Sequence, residues 1–460
     1  MKKILIANRG EIAVRVIRAC HDLGISTVAV YSEVDRESLH VLYADEAICV
    51  GDALSVNSYL KISNILAACE ITHADAIHPG YGFLSENSKF ASICTNSNIV
   101  FIGPTHKAIE LLGDKIKAKE IAKFVKCPVI PGSDGVVKNS EDGLNIADLI
   151  GYPVLIKAVH GGGGKGIRIV NNRKEFISMF NQAGIEGEKS FGNRDLYLEK
   201  MIVNARHIEI QILGDMYGNY VHLGERDCTI QRKRQKLIEE SPSPILTSEL
   251  RKKMCDAAIR IVKAVNYHTV GTVEFLLDEI GNFYFMEVNT RIQVEHTVTE
   301  ERTGVDLIKE QIRTAFGEKL NMKQDDINIK NHVIQFRVNA EDSNNNFTPS
   351  PGKLEYFIPS GGPHVRVDSA CYSGCCISPY YDSMIAKLIV RGKDRSEAIN
   401  HSKRALKEFQ IGGVLTTIPF HQYMLDNELF LSSNYSINFI DTLLLEGCTF
   451  NQNSPMVLSQ

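Results

Sequence analysis

No stretch of this 460-residue chain approaches the roughly 18 consecutive apolar residues that a membrane helix needs. The first apolar run, Ile4-Leu5-Ile6-Ala7, stops at Asn8-Arg9-Gly10-Glu11, too short for the core of a secretory signal. Charge of one sign is also missing: 51 Lys and Arg against 55 Asp and Glu leave −4. A basic nucleic-acid footprint is therefore excluded at the level of the whole chain. The eleven cysteines are an odd number, scattered through apolar runs such as Ala67-Ala68-Cys69. That pattern predicts reduced thiols in a cytoplasmic protein, with neither a disulfide framework nor a membrane partner. The cluster Cys371, Cys375 and Cys376 lacks the second pair that a zinc site would need. Long linkers, low-complexity tracts and internal repeats are absent as well.

What is present is ordinary globular material, 44% hydrophobic and 23% charged, which excludes general disorder. At about 150 residues per domain the length suggests three domains. The first hundred residues alternate short apolar strands (3–7, 27–31, 76–78 and 99–102) with helical patterns (11–23 and 59–70), and Gly24 reads as a helix stop. This βαβ rhythm predicts a Rossmann-like parallel sheet with helices on both faces, and ligands bind at the strand C-termini of such sheets. One such loop is His78-Pro79-Gly80-Tyr81-Gly82-Phe83-Leu84-Ser85-Glu86-Asn87. From 153 to about 289 strands and hairpins dominate, interrupted by a helix over 248–266, an α+β pattern. A third region of mixed α/β character opens with a strand over 332–339. The expected domains are thus 1–113, 114–330 and 331–446, followed by a frayed tail over 447–460.

Three segments carry chemistry. His160-Gly161-Gly162-Gly163-Gly164-Lys165-Gly166 lies between two strands, so it is a glycine-rich hairpin tip and not a helix-opening dinucleotide loop. Its amides, Gly163 and Gly164 among them, can approach phosphate oxygens, and Lys157 on the entering strand can reach the same group. Second, Glu274 and Glu287 lie on either side of a turn. A four-residue loop over 279–282 puts Asp278 opposite Phe283 and hence the two glutamates opposite each other. Like charges across a ladder repel, and a divalent cation such as Mg²⁺ converts that repulsion into binding. Third, the odd positions from Glu287 through Asn289, Arg291 and Gln293 to Glu295 are all polar. If the stretch stays extended, one face offers a metal ligand, a second oxygen, a cation, an amide and a base, furniture for a small planar anion such as bicarbonate. The run Gln231-Arg232-Lys233-Arg234-Gln235-Lys236 is by default a solvated face, with phosphate contact as the alternative. Glu199-Lys200-Met201-Ile202 follows a strand over 195–198 and can serve as a hinge whose backbone reads an adenine.

These segments, together with Gly113-Asp114-Lys115, Glu225-Arg226-Asp227-Cys228, Phe336-Arg337-Val338-Asn339-Ala340-Glu341-Asp342 and Tyr380-Tyr381-Asp382-Ser383-Met384, resemble biotin carboxylase, an ATP-grasp enzyme, over about residues 1–446. The resemblance implies a central ATP-grasp region with a mobile lid over about 131–203. ATP would phosphorylate bicarbonate to carboxyphosphate, and CO₂ would pass to biotin. Lys115, Lys157, Gly163, Gly164, Glu199, Lys200, Met201, His207, Gln231, Arg234, Glu274 and Glu287 would surround ATP. Glu274, Glu287 and Asn289 would hold two Mg²⁺ or Mn²⁺ ions. Lys236, Arg291, Gln293 and the main chain of Val294 would hold bicarbonate, Glu295 would be the base, and Tyr81 and Arg337 would meet biotin. Lys236, Arg291, Glu295 and Arg337 form the catalytic set. Arg234 stands where the family often has His, His160 where Gly or Ser is usual, and Pro363 where relatives can have an aromatic at the homodimer interface; Arg18 and Asp22 are further candidates for that interface.

The chain carries no Ala-Met-Lys-Met biotinyl segment and has no room for a carboxyltransferase domain. The resemblance then implies a separate subunit that works with a biotin carboxyl carrier protein and carboxyltransferase subunits. The host would be acetyl-CoA carboxylase, leading to malonyl-CoA and fatty acids, or alternatively a pyruvate or acyl-CoA carboxylase. Two rivals stand beside this reading. Another ATP-grasp ligase would share the lid and carboxylates but not Arg291–Glu295 with Arg337, and a nucleotide-bound scaffold would not need every one of these positions.

Overall fold

A computed structural model describes residues 2–159 and 166–450. The glycine tip at 160–165 and residues 451–460 lie outside the described residues, as do the expectations placed on Gly163, Gly164 and His160.

β1 (Lys3–Ile6), β2 (Ser26–Ser32), β3 (Glu46–Gly51), β4 (Ala76–His78) and β5 (Val100–Phe101) form a parallel sheet in the order β3-β2-β1-β4-β5. Successive side chains of β1 feed opposite cores. Ile4 and Ile6 pack with Ile12, Val16 and Ile17 of the helix Gly10–Asp22, and Leu5 packs with Ile65 and Phe90 of the helices Ile62–Thr72 and Ser88–Asn96. Gly24, at φ +68°, takes the left-handed conformation that ends the first helix. β3 was not anticipated: it is the edge strand of the sheet, and most of its residues, the apolar Ala47-Ile48-Cys49 among them, are exposed or half-buried. The helix expected to begin at 59 starts at Ile62, three residues later.

β6 (Val154–Ala158), β7 (Ile167–Val170) and β8 (Leu196–Lys200) make a small antiparallel sheet in the order β7-β6-β8. One face packs Val154, Ile156 and Leu198 on Phe176 and Phe180 of the helix Arg173–Phe191. Its other face presents Leu155, Lys157, Tyr197 and Glu199 to a cleft.

The third sheet has eight antiparallel strands: β9 (Arg206–Gly214), β10 (Tyr220–Arg232), β11 (Gln235–Ser241), β12 (Thr269–Leu277), β13 (Phe283–Asn289), β14 (His332–Asn339), β15 (Val365–Ser369) and β16 (Met384–Gly392). Their order is β13-β12-β9-β10-β11-β14-β16-β15. β11 pairs directly with β14, Ile238 opposite Phe336, so the break expected near residue 330 does not interrupt the sheet. The helix Ser248–Ala264 covers Ile208, Ile210, Ile212 and Phe275 on one side. The alternate side chains of β9, His207, Glu209 and Gln211, face the other way and are buried too.

Three expectations need correction. The hairpin between β12 and β13 has a five-residue loop, with Leu277 opposite Phe283 and the Asp278 N–H donating to the Asn282 carbonyl. A bulge at Met286 then shifts the register by one, so that Glu274 still faces Glu287. The stretch after Glu287 stays extended only to Asn289; 290–295 turns, and a helix begins at His296. The tail does not begin at 447: Phe450 is fully buried against Phe420 and Tyr423. Among the described residues no helix is long and apolar enough to cross a membrane.

Candidate active site

Between the small sheet and the eight-stranded sheet lies a cavity of about 1100 Å³. Apart from the two glycines outside the described residues, every predicted site residue except Tyr81 lines it.

The row Glu287–Glu274–Glu209 runs straight across β13, β12 and β9. Glu274 Oε1 accepts from Lys236 Nζ at 3.0 Å, Asn289 Nδ2 at 2.9 Å and Gln293 Nε2 at 2.8 Å, while Oε2 stands 2.9 Å from His207 Nε2. Burial alone would raise its pKa, but Lys236 and His207 hold it well below the usual carboxylate range. The same contact raises the pKa of His207 against its burial. Glu287 is the opposite case. No hydrogen bond or ion pair reaches it from a described residue, and burial with Glu274 opposite pushes its pKa up. An unpartnered carboxylate facing a second one, beside the Asn289 amide, fits a hard divalent cation. Glu274, Glu287 and Asn289 are the residues that could hold it.

Lys236 is the hub on the other side. Its ammonium lies 2.6 Å from Glu209, 3.0 Å from Glu274 and 2.5 Å from Glu295, and these carboxylates raise its pKa well above normal against its burial. Glu295 also accepts from Arg337 Nη2 at 2.9 Å. Despite burial, the two cations hold its pKa far below the ordinary value. Arg337 donates through Nε to Glu239 at 2.6 Å. Arg291 is gripped by Glu86 at 2.9 Å and reaches Asn289 Oδ1 at 2.9 Å.

The basic run is therefore not one solvated face. Gln231 and Lys236 point inward, with the Gln231 amide 3.2 Å from His207 Nδ1, and Arg232 leaves for Asn346 and the Phe347 ring. Lys233, Arg234 and Gln235 are exposed. The turn residues Lys233 and Arg234 both have positive φ, as a two-residue hairpin turn requires. At the small sheet, Glu199 takes Lys157 and, at 3.4 Å, Lys119, and the pair holds its pKa down against burial. Lys200 Nζ donates to the carbonyls of Gly151 and Tyr152 at 2.9 and 2.8 Å. Met201 and Ile202 line the cavity beside it. Asp114 accepts from the N–H groups of Ile116 and Lys117, which sets Lys115 at the start of the helix Lys115–Phe124. Tyr81 stands apart, its hydroxyl donating to Glu11 and its loop held by Asn8 Nδ2, which donates to the Pro79 and Tyr81 carbonyls at 2.7 Å each.

Residues 1–109 match the family described as biotin carboxylase N-terminal domain, 114–323 the carbamoyl-phosphate synthase L chain ATP-binding domain, and 335–442 the biotin carboxylase C-terminal domain. The biotin carboxylase of Nostoc sp. is 56% identical over 441 residues, covering 96% of this chain and 99% of that one. The chain belongs to the biotin carboxylase family. As a member it is an ATP-grasp carboxylase, and its mixed α/β fold is that of solved biotin carboxylases. A pyruvate carboxylase subunit from Methanothermobacter thermautotrophicus is 51% identical, covering 95% of this chain and 89% of its own. The biotin carboxylase domain dimer of Hydrogenobacter thermophilus 2-oxoglutarate carboxylase, solved with MgADP, ADP and bicarbonate, superposes with a TM-score of 0.92 at 47% identity, covering 98% of this chain and 99% of that one.

Sequence reasoning gave no role to Glu209, Arg226, Glu239, Glu86 or Lys119. Arg226 is fully buried and ties Glu209 (2.5 Å), Gln211 (2.6 Å), Thr299 (2.8 Å) and Gln293 (2.8 Å) together, so it orients the Gln293 amide. A signal existed for Glu209: His207-Ile208-Glu209-Ile210-Gln211-Ile212 alternates with period two, placing it on the same face as His207. Nothing local marked Glu239, whose partner lies 98 residues away.

Proposed function

We propose that this chain catalyses the ATP-dependent carboxylation of biotin carried on a separate protein, with bicarbonate as the carbon source. The observation that carries the reading is the convergence in one cavity of the facing pair Glu274 and Glu287 with the set Lys236, Arg291, Gln293, Glu295 and Arg337. Mg²⁺ or Mn²⁺ held by Glu274, Glu287 and Asn289 would neutralise phosphate charge during transfer. Lys115, Lys157, Glu199, Lys200, Met201, His207, Gln231 and Arg234, with the glycine tip, surround the nucleotide, and the unit over 131–203 closes on it as a lid that keeps water from carboxyphosphate.

Bicarbonate sits on Arg291, Lys236, Gln293 and the Val294 N–H. Glu295 takes its proton as the bicarbonate oxygen attacks the γ-phosphorus, giving carboxyphosphate and ADP. Carboxyphosphate then splits into CO₂ and phosphate, the phosphate takes the ureido N–H proton, and the ureido nitrogen attacks CO₂, with Arg337 on the developing ureido oxyanion and Tyr81 beside the ring. The electrostatics support a coupling between the half-steps. Glu295 is a weak base while Lys236 and Arg337 both hold it. When biotin draws Arg337 away, one of those cations is lost and the base strengthens.

The carrier is a biotin carboxyl carrier protein, and carboxyltransferase subunits choose the acceptor. We read the host as the acetyl-CoA carboxylase of a cytoplasmic fatty-acid pathway; the similarity to pyruvate and 2-oxoglutarate carboxylase subunits supports the alternative acceptors. A homodimer would use the Gly361–Arg366 face and the helix Gly10–Asp22. The deciding measurement is bicarbonate-dependent ADP release stimulated by free biotin. Release that ignores bicarbonate would remove the assignment.

A further inference from the structure

Lys387 on β16 is fully buried and does not line the cavity. Its ammonium lies 3.0 Å from Glu11 Oε2 on the first helix and 4.0 Å from Asp368 on β15, and it donates to the main-chain oxygen of Val294 at 3.1 Å. The other oxygen of Glu11 accepts the Tyr81 hydroxyl. One ammonium from the C-terminal region thus touches the backbone of the turn at 290–295 and, through a single carboxylate, Tyr81.

The preceding carbonyl of that turn is held as well. Gln293 O accepts from His296, through the ring Nδ1 at 2.7 Å and the backbone N–H at 3.3 Å. Burial, with Lys387 close by, keeps that imidazole neutral, so Nδ1 carries the proton it donates. In a trans peptide the N–H points opposite to the preceding C=O. Holding the Gln293 and Val294 carbonyls therefore sets the direction of the Val294 and Glu295 N–H groups. Neither N–H donates to any described residue, although both residues line the cavity. Two adjacent unpaired amides in a turn form a ready cradle for an anion.

We propose that Lys387 is a positioning residue that orients the Val294–Glu295 peptide toward the bound anion and, through Glu11, seats Tyr81. The inference rests on the reading that the cavity takes bicarbonate and biotin. It predicts that one buried ammonium, remote from ATP, sets the affinity for both small substrates.

The test is steady-state kinetics of the full chain with free biotin. Lys387→Met should raise KM for bicarbonate about 10-fold and KM for biotin severalfold, with KM for ATP within twofold of wild type. Because Lys387→Met leaves Glu11 buried without its cation, the double variant Glu11→Gln/Lys387→Met serves as the folding control. It should melt close to wild type and keep the bicarbonate defect, since nothing in it restores the Val294 contact. Glu11→Gln alone should move KM for biotin and leave KM for bicarbonate. Wild-type KM for bicarbonate in a folded Lys387 variant overturns the proposal. A parallel rise in KM for ATP, or failure of both Lys387 variants to fold, reduces Lys387 to a structural residue and overturns it too. Wild-type enzyme without bicarbonate-dependent turnover would sink the functional reading itself, a result visible before any variant is made.

Discussion

Arg337 and Glu295 meet at 2.9 Å, while Arg337 Nε donates to Glu239 at 2.6 Å. The guanidinium is thus shared by two carboxylates on different segments, one of them the proposed base.

Arg337→Ala should impair biotin carboxylation while leaving a biotin-independent ATP cleavage measurable as ADP release. Loss of an oxyanion contact of this kind costs about 10²–10³ in turnover. The variant also removes one of the two cations on Glu295, so the residual cleavage should not fall in parallel. Equal loss of both activities would contradict the assigned role.

Glu287→Gln keeps the shape and removes the charge. Turnover should fall about 100-fold or more, in line with the loss of a metal ligand. The raised pKa of Glu287 means that the folded protein holds this proton more tightly than the unfolded chain does. Its contribution is present at low pH and is lost as pH rises through the shifted value. The Gln variant should therefore melt at or above the wild-type temperature near neutral pH without metal, and added Mg²⁺ should raise only the wild-type melting temperature. Calorimetry with and without Mg²⁺ checks both statements.

Glu240 illustrates the acid limb. It accepts from His332 at 2.7 Å, Arg395 at 2.8 Å and Tyr435 at 2.6 Å. Burial opposes ionisation, but these partners win and lower its pKa to about 2. The stabilisation is complete above the ordinary glutamate value of about 4.3 and is lost as pH falls from there toward 2. Glu240→Gln should lower the melting temperature by several degrees at pH 7, and the gap between variant and wild type should narrow as the solution is acidified through that window. A constant gap across the window would refute the linkage.

Cys375 should be the fastest thiol. Its hydrogen bond with Cys371, helped by the Tyr372 N–H at 3.4 Å, lowers its pKa to about 7 against partial burial. Iodoacetamide at pH 7 should label Cys375 ahead of the exposed Cys49 and Cys376, with the buried Cys20 and Cys228 untouched until unfolding. Peptide mass spectrometry over a time course gives the order directly; Cys375 labelling along with the buried thiols would be the contrary result.

The sequence by itself determined the elements whose information is local. The strand over 332–339 has the limits expected of it, and 76–78 likewise, because backbone periodicity and turn residues are properties of the segment. The facing of Glu274 and Glu287 was legible too, but only because two errors cancelled. The loop is one residue longer than inferred, and the bulge at Met286 restores the pairing. A bulge leaves no mark in a hydrophobic pattern, since it shifts register through geometry. Tertiary structure alone decided which charge neutralises which. Glu86 reaches Arg291 from 205 residues away, Glu239 reaches Arg337 from 98, and Glu11 meets Lys387 from another domain. Burying ionised groups demands partners, and those partners are assigned by how strands and helices pack in space, a relation that no neighbouring residue along the chain encodes.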